Sequence, residues 1–190
     1  RTEDYVYSSP AVANGTVYVG SDDNNVYALS AADGTEQWSY ETGDAVFSSP
    51  AVANGTVYVG SEDGNVYALA AADGTEQWSY ETGDDVESSP VVVDDTVYVG
   101  SDDNTVYALS ADDGTEQWSY ETGDTVYSSP AVADDTVYVG SRDRNVYALS
   151  AQDGTEQESF ETGGPVQSSP AVANGTVYVG SFDSLYALSA

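Results

Sequence analysis

Ser8-Ser9-Pro10-Ala11-Val12, Thr16-Val17-Tyr18-Val19-Gly20-Ser21 and Val26-Tyr27-Ala28-Leu29 form a phrase that returns every 40 residues, restarting at Ser48, Ser88, Ser128 and Ser168. A fixed period of roughly 20 to 50 residues is the signature of a solenoid, a propeller or an array, in which each unit buries its apolar face only against its neighbours. Residues 11–50 and 51–90 differ at five positions of 40. Successive units must therefore occupy nearly equivalent environments, as rotation about an axis would provide.

Each unit reads as four short strands. The first, over 7–13, ends at Asn14-Gly15, a dipeptide that tolerates the positive φ of a two-residue hairpin turn. The second, over 16–21, is rich in the β-branched and aromatic residues that fit a pleated surface, and Asp22-Asp23-Asn24 turns it back. Strands over 25–30 and 36–41 follow, separated by Ala32-Asp33-Gly34, and Thr42-Gly43-Asp44 leads into the next unit. Turn signals at this spacing also suit a sandwich, but a sandwich does not need its hairpins to repeat in blocks of four. The expected fold is an all-β propeller of five blades in one domain over residues 1–190, each blade a four-stranded antiparallel sheet. The fifth unit stops after its third strand, so the last blade lacks its outer strand. That leaves a three-stranded closing blade, an edge open to another chain, or a piece of a larger propeller.

The chain carries 33 Asp and Glu against three Arg and no Lys, a formal charge of −30. Such a density of like charge opposes compaction at low salt and is screened at molar salt, where the Debye length falls to about 3 Å. The composition resembles the surface chemistry of halophilic archaea; an extracellular or cell-surface location is the expectation. Three arginines cannot supply the counterion-displacing footprint of a nucleic-acid binder. No apolar run approaches the roughly 18 residues of a membrane span, so neither nucleic-acid binding nor membrane insertion is expected. The absence of Cys and His removes disulfides, thiolate chemistry, Cys/His zinc sites and every mechanism with a histidine base.

At the junction of the third and fourth strands, Ala28-Leu29-Ser30-Ala31-Ala32-Asp33-Gly34-Thr35-Glu36-Gln37-Trp38 resembles the tryptophan-docking motif of the pyrroloquinoline-quinone (PQQ) repeat propellers. The motif recurs with Trp78 and Trp118, while the fourth unit places Glu158 where a Trp is expected. The resemblance implies that Trp38, Trp78 and Trp118 pack between blades. It also implies two functional branches: quinone-dependent dehydrogenases that hold PQQ and calcium over the axis of a longer, eight-bladed propeller, and non-catalytic modules that bind other proteins. Five repeats with no inserted segment favour the second branch, with no cofactor and no metal.

Candidate binding residues lie where the repeats disagree, since packing positions stay fixed and binding surfaces diverge. Tyr7, Phe47, Glu87, Tyr127 and Gln167 occupy one such row, and Arg142 lies in the loop Ser141-Arg142-Asp143-Arg144. Asp44, Asp84 and Asp124 should ring the axis on the same face. The acidic pairs Asp22-Asp23, Glu62-Asp63 and Asp102-Asp103 could offer oxygen ligands to calcium, although Asp-rich turns on an acidic protein are more often solvated. The reading is a non-catalytic, salt-adapted binding or scaffolding module with a protein partner, or self-association through the incomplete fifth blade. The alternatives are a dehydrogenase-type propeller that takes PQQ and calcium, and an amplified, consensus-like repeat without a ligand.

Overall fold

The computed structural model describes residues 2 and 4–189. The first blade holds β1 (Ala11–Ala13), β2 (Thr16–Gly20), β3 (Asn25–Ser30) and β4 (Glu36–Glu41), and the second β5 (Ala51–Ala53), β6 (Thr56–Gly60), β7 (Asn65–Ala70) and β8 (Glu76–Glu81). The third holds β9 (Val91–Val93), β10 (Thr96–Gly100), β11 (Thr105–Ser110) and β12 (Glu116–Glu121). The fourth holds β13 (Ala131–Ala133), β14 (Thr136–Gly140), β15 (Asn145–Ser150) and β16 (Glu156–Glu161), and the fifth β17 (Ala171–Ala173), β18 (Thr176–Gly180) and β19 (Leu185–Ser189). Every sheet is an antiparallel meander in chain order, four strands in the first four blades and three in the fifth.

The innermost strand is shorter than the sequence suggests, three residues instead of seven. Pro10 has no N–H to give a ladder, and the preceding serines spend their polar groups elsewhere. Ser8 Oγ donates to the Gly20 carbonyl and accepts from the Gly20 N–H, both at 2.8 Å. Ser9 N–H donates to Ser49 Oγ at 2.8 Å, and the same bond recurs from Ser49 to Ser89, Ser89 to Ser129 and Ser129 to Ser169. The Ser-Ser-Pro motif is thus a ladder stitching the inner edges of consecutive blades. The hairpin turn is as expected, with Asn14 and Gly15 at φ 49° and 80°. Asp94-Asp95 and Asp134-Asp135 adopt the same left-handed pair without glycine.

The second strands are buried along their whole length in the three middle blades. Each is sandwiched between two neighbouring sheets, which explains why Thr-Val-Tyr-Val-Gly runs apolar without alternation. Its last residue must be glycine. A Cβ on Gly20 would lie 2.3 Å from Val46 Cγ1, and Gly60, Gly100 and Gly140 stand in the same relation to Val86, Val126 and Val166. Between the first two blades, Tyr18, Val26, Ala28, Trp38 and Val46 meet Val57, Val59, Tyr67 and Leu69 in a single cluster.

The outer strand contributes the largest side chain. A bulge between Ala28 and Leu29 sets Trp38 opposite the small Ala28, and its indole crosses to the next blade. There it lies 2.7 Å from the position of a Cβ on Gly74, which sits at φ +74°, and its Nε1 donates to the Ala71 carbonyl at 3.0 Å. Trp78 docks on Gly114 and Ala111, and Trp118 on Gly154 and Ala151, in the same way. Glu158 is exposed. Without an indole, the space between the fourth and fifth blades opens into a cavity of about 300 Å³ lined by Tyr138, Ala148, Glu158, Phe160 and Leu188.

The five blades form an arc. The seryl ladder runs from Ser9 to Ser169, and among the described residues no hydrogen bond joins the fifth blade to the first. Tyr178 stands at the position of the interblade tyrosines Tyr18, Tyr58, Tyr98 and Tyr138, but it is 43% exposed against 3% for Tyr18. Among the described residues no sheet lies beyond it. Gly34, the first blade's counterpart of the tryptophan-docking glycines, has nothing within 4 Å of its Cβ position.

Candidate binding face

Two loops from each blade meet on one face: the turn between second and third strands, and the crossing from the outer strand into the next blade. Thr42 N–H and Oγ both reach the Asn24 carbonyl at 2.8 Å, Gly43 N–H donates to Asp63 Oδ2 at 2.6 Å, and Glu62 N–H donates to the Ala45 carbonyl at 2.9 Å. The repeats disagree most at four places, all on these two loops. The turn varies through Asp22, Glu62, Asp102, Arg142 and Phe182, and through Asn24, Gly64, Asn104, Arg144 and Ser184. The crossing varies through Ala45, Asp85, Thr125 and Pro165, and through Phe47, Glu87, Tyr127 and Gln167.

The acidic pairs of the turn split into two roles. Asp63 is a clamp: its Oδ1 accepts from Asn65 N–H at 2.9 Å and its Oδ2 from the Tyr67 hydroxyl at 2.7 Å as well as from Gly43. Burial works against its charge, but these donors hold the carboxyl below the usual range. Asp103 and Asp143 repeat the arrangement across the next two junctions. Their oxygens are occupied by the protein's own donors, so Asp63, Asp103 and Asp143 are committed to holding two blades together. Asp44, Asp84 and Asp124 are exposed, and each accepts the N–H of the following residue, at 2.8 to 3.0 Å. They shape the crossing turn. Among the described residues no group of three or more acids is arranged to hold a metal ion.

The first acid of each pair behaves differently. Burial pushes the Glu62 carboxyl up to about 7, aided by the charges of Asp85, Glu87, Asp44 and Asp22. Asp85 and Glu87 are raised too, by burial first and then by neighbouring carboxylates. Asp102 is raised by burial, and its Oδ1 is enclosed without a hydrogen-bond partner. Burial and the neighbouring Asp102 carboxylate raise the Tyr127 phenol above its usual range, and the Arg142 guanidinium lies 5.6 Å from the Tyr127 ring centroid. Glu87, Tyr127 and Gln167 line an open groove of about 360 Å³. At the other end of the row Tyr7 meets Phe47 edge to face at 5.4 Å. Arg144 pairs with Glu161 at 3.8 Å on the exposed side.

The structure thus brings Glu87, Tyr127, Gln167 and Arg142 together and adds Glu62, Asp85 and Asp102 to them. Asp85 went unremarked in the sequence, although the divergence of its row carried the signal. Acids whose folded-state affinity for protons is raised stabilise the fold below their unfolded value near 4.5, and that contribution is lost as the pH climbs through about 7. The melting temperature at low salt should therefore fall between pH 5 and 8. Glu62→Gln should recover about 1 kcal/mol at pH 8, a figure already discounted for partial exposure. Thermal melts across that range check it, and a pH profile unchanged by the substitution would refute the coupling.

The family model described as outer membrane protein assembly factor BamB matches residues 3–89 and 103–190. The crystal structure of BamB from Moraxella catarrhalis superposes with a TM-score of 0.84 at 21% identity, over 96% of this chain and 57% of that one. The crystal structure of the computationally designed Ika8 protein superposes with a TM-score of 0.86 at 18% identity, over 95% of this chain and 57% of that one. This chain therefore spans a little over half the length of either. No curated protein matches it.

Proposed function

Because this chain belongs to the PQQ-like β-propeller family described as outer membrane protein assembly factor BamB, we propose that it is a non-catalytic, protein-binding module of the cell envelope, adapted to high salt. The observation that carries this reading is that the four most divergent positions of the repeat fall on one face, while most interblade contacts recur from junction to junction. A scaffold without a ligand gives no reason for four variable positions to converge on two touching loops. The face is acidic, with Tyr127 and Arg142 at its centre, and the whole chain carries a charge of −30. It complements a basic, extended segment of a partner through short-range pairing at the loops themselves, since molar salt screens steering over longer distances. The dehydrogenase reading fits these residues poorly, because the arginine of this face lies over the Tyr127 ring.

Fluorescence anisotropy in molar KCl with a labelled Lys-rich peptide tests the face. Binding should weaken roughly tenfold in the Glu87→Gln, Asp102→Asn double variant, about 1.4 kcal/mol. Equal affinity for both proteins, or no binding, overturns the assignment. Addition of PQQ with calcium should leave the quinone's visible band unshifted. Stoichiometric uptake would overturn the non-catalytic reading.

A further inference from the structure

The turn between the second and third strands opens on an acid in the first three blades, Asp22, Glu62 and Asp102, and on Arg142 in the fourth. This reversal of charge has a defined place. Arg142 N–H donates to the Thr125 carbonyl at 3.0 Å, which ties its turn to the crossing that carries Tyr127 two residues on. The side chain is exposed, and its guanidinium lies over the Tyr127 ring, 5.6 Å from the centroid. Among the described residues Arg142 makes no ion pair, whereas Arg144 on the same turn pairs with Glu161 at 3.8 Å.

An aromatic face beside a carboxylate is a two-part seat for a cation: the ring attracts through its quadrupole, and the carboxylate through charge and hydrogen bonds. Arg142 fills the first part only. Asp102 Oδ1 is enclosed with no hydrogen-bond partner, so the resident guanidinium leaves the carboxylate of the neighbouring blade unsatisfied. Burial and the charges of Asp85 and Asp84 push the Asp102 carboxyl up, while the charge of Arg142 draws it down. Glu87 lines the same open groove as Tyr127. The seat lies between the third and fourth blades, each packed on both sides against another blade of the chain.

On the reading of this face as a binder of basic segments, we propose that Arg142 is a built-in occupant of a cation seat. It covers the Tyr127 ring in the free protein until a basic side chain of the partner displaces it and takes the ring together with the carboxylates of Asp102 and Glu87. The chain itself shows which chemistry the ring accepts, since a guanidinium already lies over it. A seat closed in this way is competent only in the fraction of molecules whose Arg142 has swung aside, and the partner's apparent affinity is reduced by that fraction. Segments that bring no cation to this point leave Arg142 in place, so the residue sets specificity as well as strength.

Fluorescence anisotropy in molar KCl with the labelled Lys-rich peptide tests this on three variants. Arg142→Gln should bind roughly fivefold more tightly than the parent, because the ring is left open. Arg144→Gln removes the same charge from the same turn without touching the seat, and sets the size of a purely coulombic gain, roughly twofold at most in molar salt. Adding Tyr127→Leu to Arg142→Gln should take the fivefold gain back. Both arginines are exposed, so the single variants should fold, and circular dichroism melts verify all three. A gain in Arg142→Gln no larger than in Arg144→Gln, a gain that survives Tyr127→Leu, or weaker binding than the parent would each overturn the proposal. If the parent binds and Arg142→Gln gains nothing, the occupied seat falls and the binding face stands. If neither protein binds the peptide, both fall.

Discussion

Trp78→Ala should lower the unfolding free energy by about 3–5 kcal/mol, the range for emptying a buried aromatic site. The indole is buried, stands over Gly114, donates to Ala111 and packs 5.8 Å from the Tyr58 ring centroid. Its loss removes area, takes from the Ala111 carbonyl one of its two donors, the Tyr58 hydroxyl at 3.2 Å being the other, and opens a seam in an array whose stability is a sum over neighbouring interfaces. Glu158→Ala, at the same point of the fourth blade, should cost under about 1 kcal/mol, because an exposed carboxylate there packs against nothing comparable. Denaturant unfolding in molar KCl separates the two. Equal costs would mean that the indoles are ornaments of the outer strand and that the seams are held elsewhere.

Gly100→Ala should be more damaging than its one added methyl suggests, costing about 3 kcal/mol or preventing folding. The new Cβ would lie 2.4 Å from Val126 Cγ1 and 2.6 Å from the Val126 carbonyl oxygen. The second of these is backbone, tied through its own N–H to Ser101, so relief requires two blades to separate. Gly180→Ala in the fifth blade should cost under about 1 kcal/mol, as its nearest neighbour is a seryl side chain. Soluble yield and denaturation midpoints of the two proteins decide the matter. Similar behaviour of both would show that close approach of blades is not why the strand ends in glycine.

Much of this architecture was legible in the chain because a repeat multiplies each local signal. Asn14-Gly15, the apolar run of β2 and the alternating β4 each recur in register, and together they specify a meander of known length. The positions of Trp38, Trp78 and Trp118 were legible too, from the docking motif. What the sequence hid was the sharing of polar groups. Ser8 and Ser9 look like the start of a strand, but their hydroxyls and amides are drawn away to Gly20 and to the next blade. Asp63 and Asp103 look like solvated turn acids, yet each gathers donors from two blades, a fact set by three-dimensional neighbours 20 residues away. The variable row beginning at Tyr7 and Phe47 was visible as divergence. Its partners Glu62 and Asp85 became part of the same surface only once the loops were seen to touch.

The three docked indoles have a spectroscopic consequence. Trp38, Trp78 and Trp118 are the chain's only tryptophans, and each sits in one seam, between the first and second, second and third, and third and fourth blades. Variants retaining a single indole would give emission from one seam at a time, so the order in which blades part could be followed as a sequence of red shifts. The seam beside Glu158 carries no indole and would open without a change of colour.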